Sequence, residues 1–194
     1  MSILNNEQEK IFQFIAKGLP LAEASHFGSQ VHFQNSTTTP FQRWYPYREG
    51  YSINLVNHFI KQFKISGNVF DPFSGSGTTL LASRDNGLQS FGMDVNPISV
   101  LVAEVVTNNY NKNDVKAINN YLFAFKSLDK IQQNFSTPFE LAFKVFNDEI
   151  LQSLLQLQIW INLIPIEKIR RLFFVAWLAI IERVSNIKKE GNGI

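Results

Sequence analysis

The residues of this chain whose types and spacing suit chemistry lie between Asp71 and Pro97. They read Asp71-Pro72-Phe73-Ser74-Gly75-Ser76-Gly77-Thr78-Thr79 and then, after a second apolar run, Asp94-Val95-Asn96-Pro97. An aspartate closing a short strand sits at the C-terminal edge of the sheet, where ligands bind in open α/β proteins. Gly75 and Gly77 let the backbone turn tightly and approach a ligand with no Cβ in the way. The helix that follows points its first amides at the same place. Asp94 then ends the next strand, at a spacing that suits a carboxylate accepting hydrogen bonds from both hydroxyls of a ribose. Asn96-Pro97 is positioned to cover one face or edge of an attached base.

Other phosphate and nucleotide motifs fit less well. A dinucleotide site wants a third glycine three residues after Gly77, and Leu80 stands there. A P-loop wants Gly-Lys-Ser/Thr, and no lysine follows Gly77. Taken alone, the two glycines are equally compatible with a plain strand-to-helix turn.

The elements that must position these residues are legible around them. Asn68–Asp71 and Gln89–Asp94 read as short strands, Gly75 to about Asn86 as a turn running into a helix, and Pro97 to about Val106 as a second helix. Strand, turn, helix, strand, helix is the repeating unit of a doubly wound α/β sheet. Ser52 reads as a helix N-cap ahead of Leu55, Val56, Phe59, Ile60 and Phe63. Upstream, residues 24–51 form a long irregular stretch rich in aromatic and basic side chains, including Arg43, Trp44, Tyr45, Tyr47 and Tyr51. Residues 5–18 suit a short amphipathic helix.

Beyond residue 111 the pattern changes. Asp114–Ile131, Phe139–Ile164 and Pro165–Ile187 all read as helical, with no strand signal. Three parts follow: 1–35 as an N-terminal helix and loop, 36–111 as the α/β part, and 112–194 as a helical insertion or partner-binding segment. The chain has 194 residues, with 45% hydrophobic and 18% charged content, the profile of one folded domain. It has no cysteine, and His26, His32 and His58 are too scattered to suggest a metal site. Leu172–Ile181 is the longest apolar run, too short for the ~20 residues that span a bilayer. With no signal-peptide pattern at its start, the chain is expected to be cytoplasmic. Basic side chains exceed acidic ones six to four over 1–65 and six to three over 166–194, while 66–165 carries six against nine. That distribution suits a cationic cofactor at the centre with nucleic acid alongside, and it also arises by chance.

DPFSGSGTT followed by FGMDVNPISVLVAE resembles motifs I and II of the DNA amino-methyltransferases, enzymes that methylate adenine N6 or cytosine N4. The resemblance covers roughly residues 36–107 and implies an α/β, Rossmann-like, S-adenosylmethionine-dependent methyltransferase fold. It implies that Asp71, Phe73, Gly75 and Gly77 cradle the methionine part of S-adenosylmethionine, with Thr78 and Thr79 alongside. It further implies that Asp94 binds the ribose, with Asn96 and Pro97 near the adenine. The preceding PFQRWYPYREGYSINLVNHFI is similar to the family's motif X, which makes Arg43, Tyr45 and Tyr51 the candidates for a wall around the cofactor carboxylate. Double-stranded DNA is the implied substrate.

Such enzymes also carry an (Asp/Asn/Ser)-Pro-Pro-aromatic motif that holds the exocyclic amine and stacks on the flipped base. The seven prolines here are Pro20, Pro40, Pro46, Pro72, Pro97, Pro138 and Pro165, and no two are adjacent. No catalytic residue is therefore assigned in this chain. A cytosine-C5 enzyme is excluded as well, since its nucleophile is a cysteine. Two strands are also fewer than the five or six of a typical sheet. The expectation is a split or truncated methyltransferase, inactive alone, whose incomplete sheet is finished by a second subunit carrying the Pro-Pro-aromatic motif. The rivals are a fragment of an RNA guanine-N2 methyltransferase, or an inactive regulatory or vestigial subunit.

Overall fold

The computed structural model describes residues 40–45, 47, 50–126, 136–137 and 139–186. The expected N-terminal helix over 5–18 and the tail beyond residue 186 lie outside them. Helix α1 spans Ile53–Gln62, and its first turn is closed by Ser52, whose hydroxyl accepts from the Asn54 amide at 3.2 Å. Strand β1 is Val69–Asp71, helix α2 Thr78–Asp85, strand β2 Ser90–Gly92 and helix α3 Pro97–Thr107. Asn96 caps α3 by accepting from the Ile98 amide, and Pro97 opens it where no amide is needed.

The strands are parallel, with Val69 beside Ser90, Phe70 beside Phe91 and Asp71 beside Gly92. β1 ends at Asp71, as the sequence pattern suggests, and starts one residue later than Asn68, while β2 starts at Ser90 and stops at Gly92, short of Asp94. Pairing nonetheless continues one step further: the Met93 amide donates to the Asp71 carbonyl and the Ser74 amide to the Met93 carbonyl, each at 3.0 Å. The mixed α/β architecture with a two-stranded parallel sheet is thus present among the described residues.

Helix α4 spans Lys112–Lys126, α5 Glu140–Val145, α6 Asp148–Asn162 and α7 Glu167–Val184. Two of the boundaries that differ from the sequence reading do so because an asparagine caps a helix. Asn111 accepts from the amides of Asn113 and Asp114 while Asp114 accepts from the Asn111 amide, so α4 starts earlier than Asp114. Asn147 accepts from the Ile150 amide at 2.9 Å and splits the expected Phe139–Ile164 helix into α5 and α6.

Two apolar clusters hold the described part together. Ile53 and Ile60 of α1 pack on Leu81 and Ala82 of α2. Val102, Val105 and Val106 of α3 pack on Val175 of α7. Phe41 touches both clusters, and Trp44 and Tyr45 join the second. The helical segment therefore shares a core with the α/β part through α7. Arg171 on α7 reinforces this by pairing with Glu104 on α3, and Lys168 pairs with Asp114 at 2.6 Å. No helix among the described residues is long and apolar enough to cross a membrane.

Candidate cofactor site

The C-terminal ends of β1 and β2 and the turn into α2 enclose a cleft of about 240 Å³, lined by Tyr47, Tyr51, Phe73, Gly75, Thr78 and Asp94 among others. Its floor is held by the two aspartates. Asp71 accepts from the Phe73 amide at 3.0 Å and so fixes the turn that leaves β1. Asp94 reaches across from β2 to accept from the Gly75 amide at 2.9 Å, and its other oxygen accepts from the Asn96 amide at 2.8 Å. One carboxylate thus ties both turns together. It keeps acceptor capacity for a ligand, because a carboxylate offers about four lone-pair sites.

The glycines are where the backbone demands them. Gly75 has φ +49°, and a Cβ there would lie 2.9 Å from the Tyr47 ring, which roofs the turn. Gly77 has φ +88°, and its Cβ would lie 2.9 Å from that of Ala103, where α2 meets α3. Thus Gly75 serves the cleft and Gly77 serves the packing beneath it.

Tyr51 connects the segment before β1 to the cleft. Its hydroxyl shares a 2.5 Å hydrogen bond with Thr79 and donates to Asp71 at 3.3 Å. Burial pushes its pKa above the usual phenol value; the Thr79 bond opposes that shift and the Asp71 charge adds to it. The phenol therefore stays neutral and a donor at physiological pH.

The sequence over this site matches a known family. Residues 29–104 match the model of a DNA methylase family. Over this segment the chain is similar to DNA methylases. Similar proteins include the Type II methyltransferase M.AvaI of Nostoc sp., 40% identical over 77 residues that make up 39% of this chain and 16% of that protein. M.MjaII of Methanocaldococcus jannaschii is 37% identical over 75 residues, 38% of this chain and 14% of its own. M.BsoBI of Geobacillus stearothermophilus is 29% identical over 166 residues, 83% of this chain and 32% of its own. The chain thus spans no more than about a third of the length of these relatives. No solved structure matches it significantly.

Within this segment the candidate residues fall into three groups. Tyr51, Phe73, Gly75, Thr78 and Asp94 line the cleft. Asp71, Gly77, Thr79, Asn96 and Pro97 stand behind or beside it: Asp71 and Thr79 hold Tyr51, Gly77 packs on Ala103, and Asn96-Pro97 starts α3. Arg43 is exposed on the short 3-10 turn Gln42–Trp44, and Tyr45 packs on the valine cluster of α3 and α7, so neither is among the cleft-lining residues. Three features escaped the sequence reading. Tyr47 roofs the cleft, Ser74 and Ser76 contribute to its lining, and Gln42 donates to Thr78 at 3.0 Å from the preceding turn. The alternation of glycine with serine was the available signal for Ser74 and Ser76; nothing local marks Gln42. Among the described residues no cluster of His, Cys, Asp or Glu is arranged to hold a metal.

Proposed function

We propose that this chain binds S-adenosylmethionine in the cleft at the ends of β1 and β2, as the cofactor part of a methyltransferase acting on an exocyclic amine, adenine N6 or cytosine N4, in double-stranded DNA. The observation that carries this reading is the Asp94 carboxylate, pinned between the Gly75 and Asn96 amides at the cleft rim. Two carboxylates flanking a glycine turn suit a ligand with a cationic amino acid end and a ribose. The match to a DNA methylase, rather than to an RNA enzyme, favours DNA over the guanine-N2 alternative.

The residues present fit the cofactor. A Cβ at Gly75 would fill space that the open turn leaves under Tyr47. The first amides of α2 face the same turn and suit a carboxylate. The cleft is smaller than the ~300 Å³ or more of a complete small-molecule site, so it holds part of the ligand and leaves one side open. S-adenosylmethionine supplies an electrophilic methyl group when bound. The chain's own residues orient it: Asp94 would accept from ribose hydroxyls, Asp71 and the Tyr51–Thr79 pair keep the turn in place, and Phe73, 86% exposed, offers an apolar surface at the rim.

No Pro-Pro-aromatic sequence occurs in these 194 residues. In our reading that motif, and with it the contact to the target amine, is supplied from outside these 194 residues. Equilibrium binding of S-adenosylmethionine to wild type and Asp94→Ala tests the cofactor assignment. Loss of two hydrogen bonds should cost about 2–3 kcal/mol of affinity. An unchanged dissociation constant in a folded Asp94→Ala protein refutes the assignment.

A further inference from the structure

Both threonines that open α2 are held from the segment before β1, but in different ways. Thr79 belongs to a closed set: its hydroxyl bonds Tyr51, and Tyr51 donates onward to Asp71. Thr78 belongs to an open one. Its Oγ1 accepts from Gln42 Nε2 at 3.0 Å, and its own proton has no acceptor among the described residues. At the other end of the pair, Gln42 Oε1 is buried with no hydrogen-bond partner among them. A buried polar oxygen left unbonded lowers stability, and native proteins keep few of them.

The backbone that delivers Gln42 is unfavourable as well. Phe41 has φ +66° and ψ −52°, and the Gln42 amide donates back to the Pro40 carbonyl at 2.9 Å. This is the tight three-residue turn with positive φ, rare and strained for a bulky residue. Packing explains where the Phe41 ring lies, since it touches both apolar clusters and has the Arg84 guanidinium 4.9 Å from its centroid. Packing does not explain the amide beside it, because an apolar side chain in place of Gln42 would leave no unbonded oxygen. Strain and an orphaned polar atom at adjoining residues point to function rather than stability.

What the bond to Thr78 does follows from donor and acceptor types. An amide NH2 can only donate, so the Thr78 oxygen is its acceptor and the hydroxyl proton must point elsewhere. Thr78 is 5% exposed, and the open space it lines is the cleft. The first amides of α2 face the same turn, so the hydroxyl adds a side-chain donor where the backbone already favours negative charge. We propose that Gln42 is a positioning residue of the cleft: by donating to Thr78 Oγ1 it turns the Thr78 proton toward the ligand, where it donates to the carboxylate at the amino acid end of S-adenosylmethionine. This rests on the reading above that the cleft takes that cofactor. Gln42 is not among the cleft-lining residues and acts through Thr78. It makes the cleft discriminate a ligand that carries the carboxylate from one that lacks it.

The test measures binding to the full chain, by calorimetry, of S-adenosylmethionine and of methylthioadenosine, which lacks the amino acid end. The variants are Gln42→Met, close to glutamine in length, Thr78→Val, which keeps the shape of threonine without its hydroxyl, and the two together. Urea unfolding accompanies each. Expected in Gln42→Met is S-adenosylmethionine binding weakened by about tenfold, with methylthioadenosine binding unchanged and stability close to wild type, because the orphaned oxygen leaves with the bond. Thr78→Val should show the same selective loss, and the double variant no more than either single one. If Gln42→Met does not fold, Gln42→Glu carries the test, since its carboxylate takes the Thr78 proton for itself; wild-type affinity for S-adenosylmethionine in that variant overturns the inference. Losses that multiply in the double variant, or that fall equally on both ligands, also overturn it and leave the cofactor reading standing. A wild-type chain that binds no S-adenosylmethionine overturns that reading and the inference together.

Discussion

The α/β part and the helical part of this chain are built by different means. Between Ser52 and Thr107 the shape is set by side chains bonded to specific backbone amides: Ser52 and Asn96 cap helices, Asp71 holds the Phe73 amide, and Asp94 holds those of Gly75 and Asn96. Between Lys112 and Val184 the shape is set mainly by apolar packing, with Leu151, Leu154, Ile161, Ile164 and Ile169 buried and Tyr121, Trp160 and Phe173 meeting edge to face. Amide-binding side chains have few substitutes, whereas buried leucine and isoleucine exchange at small cost. M.AvaI and M.MjaII match about 38–39% of the chain, and the more distant M.BsoBI matches 83% of it, which takes that match past Asn111 wherever it begins.

The largest effect should come from the packed side. Ile169 is fully buried at the start of α7, and Ile169→Ala should destabilise the protein by about 3–4 kcal/mol through lost burial and a cavity. The comparison sharpens if the loss spreads. Trp44 sits against the shared core from the α/β side, and Trp160 and Trp177 lie in the helices. Single-tryptophan variants unfolded in urea should report one transition, shifted equally by Ile169→Ala. Separate transitions would show that the two parts fold independently and that α7 only rests on α3.

Gly77→Ala attacks the constrained side. A left-handed backbone costs a non-glycine residue about 1–2 kcal/mol, and the new Cβ would press on Ala103. A loss of about 2–3 kcal/mol in urea unfolding is expected. Loss below the uncertainty of the measurement would show that the turn can relax and that its glycine serves the ligand alone.

How much of this was legible in the sequence follows the same division. The β1–turn–α2 and β2–α3 units were readable because Gly75, Gly77, Asn96 and Pro97 each mark a geometry that few residues allow. The end of β1 at Asp71 was readable too, but the end of β2 was not, since its ladder stops at Gly92, short of Asp94. Asp94 was legible as a cleft residue, but its bond to Gly75 joins positions far apart in sequence and emerges only in three dimensions. Tyr45 and Tyr47 show the limit most clearly. They are the same residue type two positions apart in an irregular stretch, yet one packs on the α3–α7 valines and the other roofs the cleft. Outside a regular element no periodicity tells which way a side chain turns.

A smaller effect separates binding from folding at Tyr51. Tyr51→Phe deletes the bonds to Thr79 and Asp71 while keeping the ring. It should cost about 1 kcal/mol in urea unfolding, and it should weaken S-adenosylmethionine binding by several-fold, because Asp71 and Thr79 lose the group that orients them. Weaker stability with unaltered cofactor affinity would restrict Tyr51 to a structural tie between the two motifs.

The smallest effect is electrostatic and belongs to the helical side. Asp114 at the start of α4 is held below the usual carboxylate pKa of 3.8, chiefly by the hydrogen bond from Lys168 and then by the Asn111 amide. A carboxyl whose pKa falls on folding adds stability above its unfolded value and loses it as pH drops through the folded one. Stability should therefore decline below about pH 4 in the wild type, and Lys168→Met should make that decline shallower while changing little at neutral pH. Lys168 also donates to the Asn109 carbonyl at 3.1 Å, so a neutral-pH loss in Lys168→Met would report that bond rather than the ion pair. Urea unfolding at a series of pH values, at low and at high salt, distinguishes the two, since only the charge pair is screened. Parallel acid limbs in wild type and variant would mean that α7 is tied to α4 by packing alone, and the contrast between the two halves of the chain would then be complete.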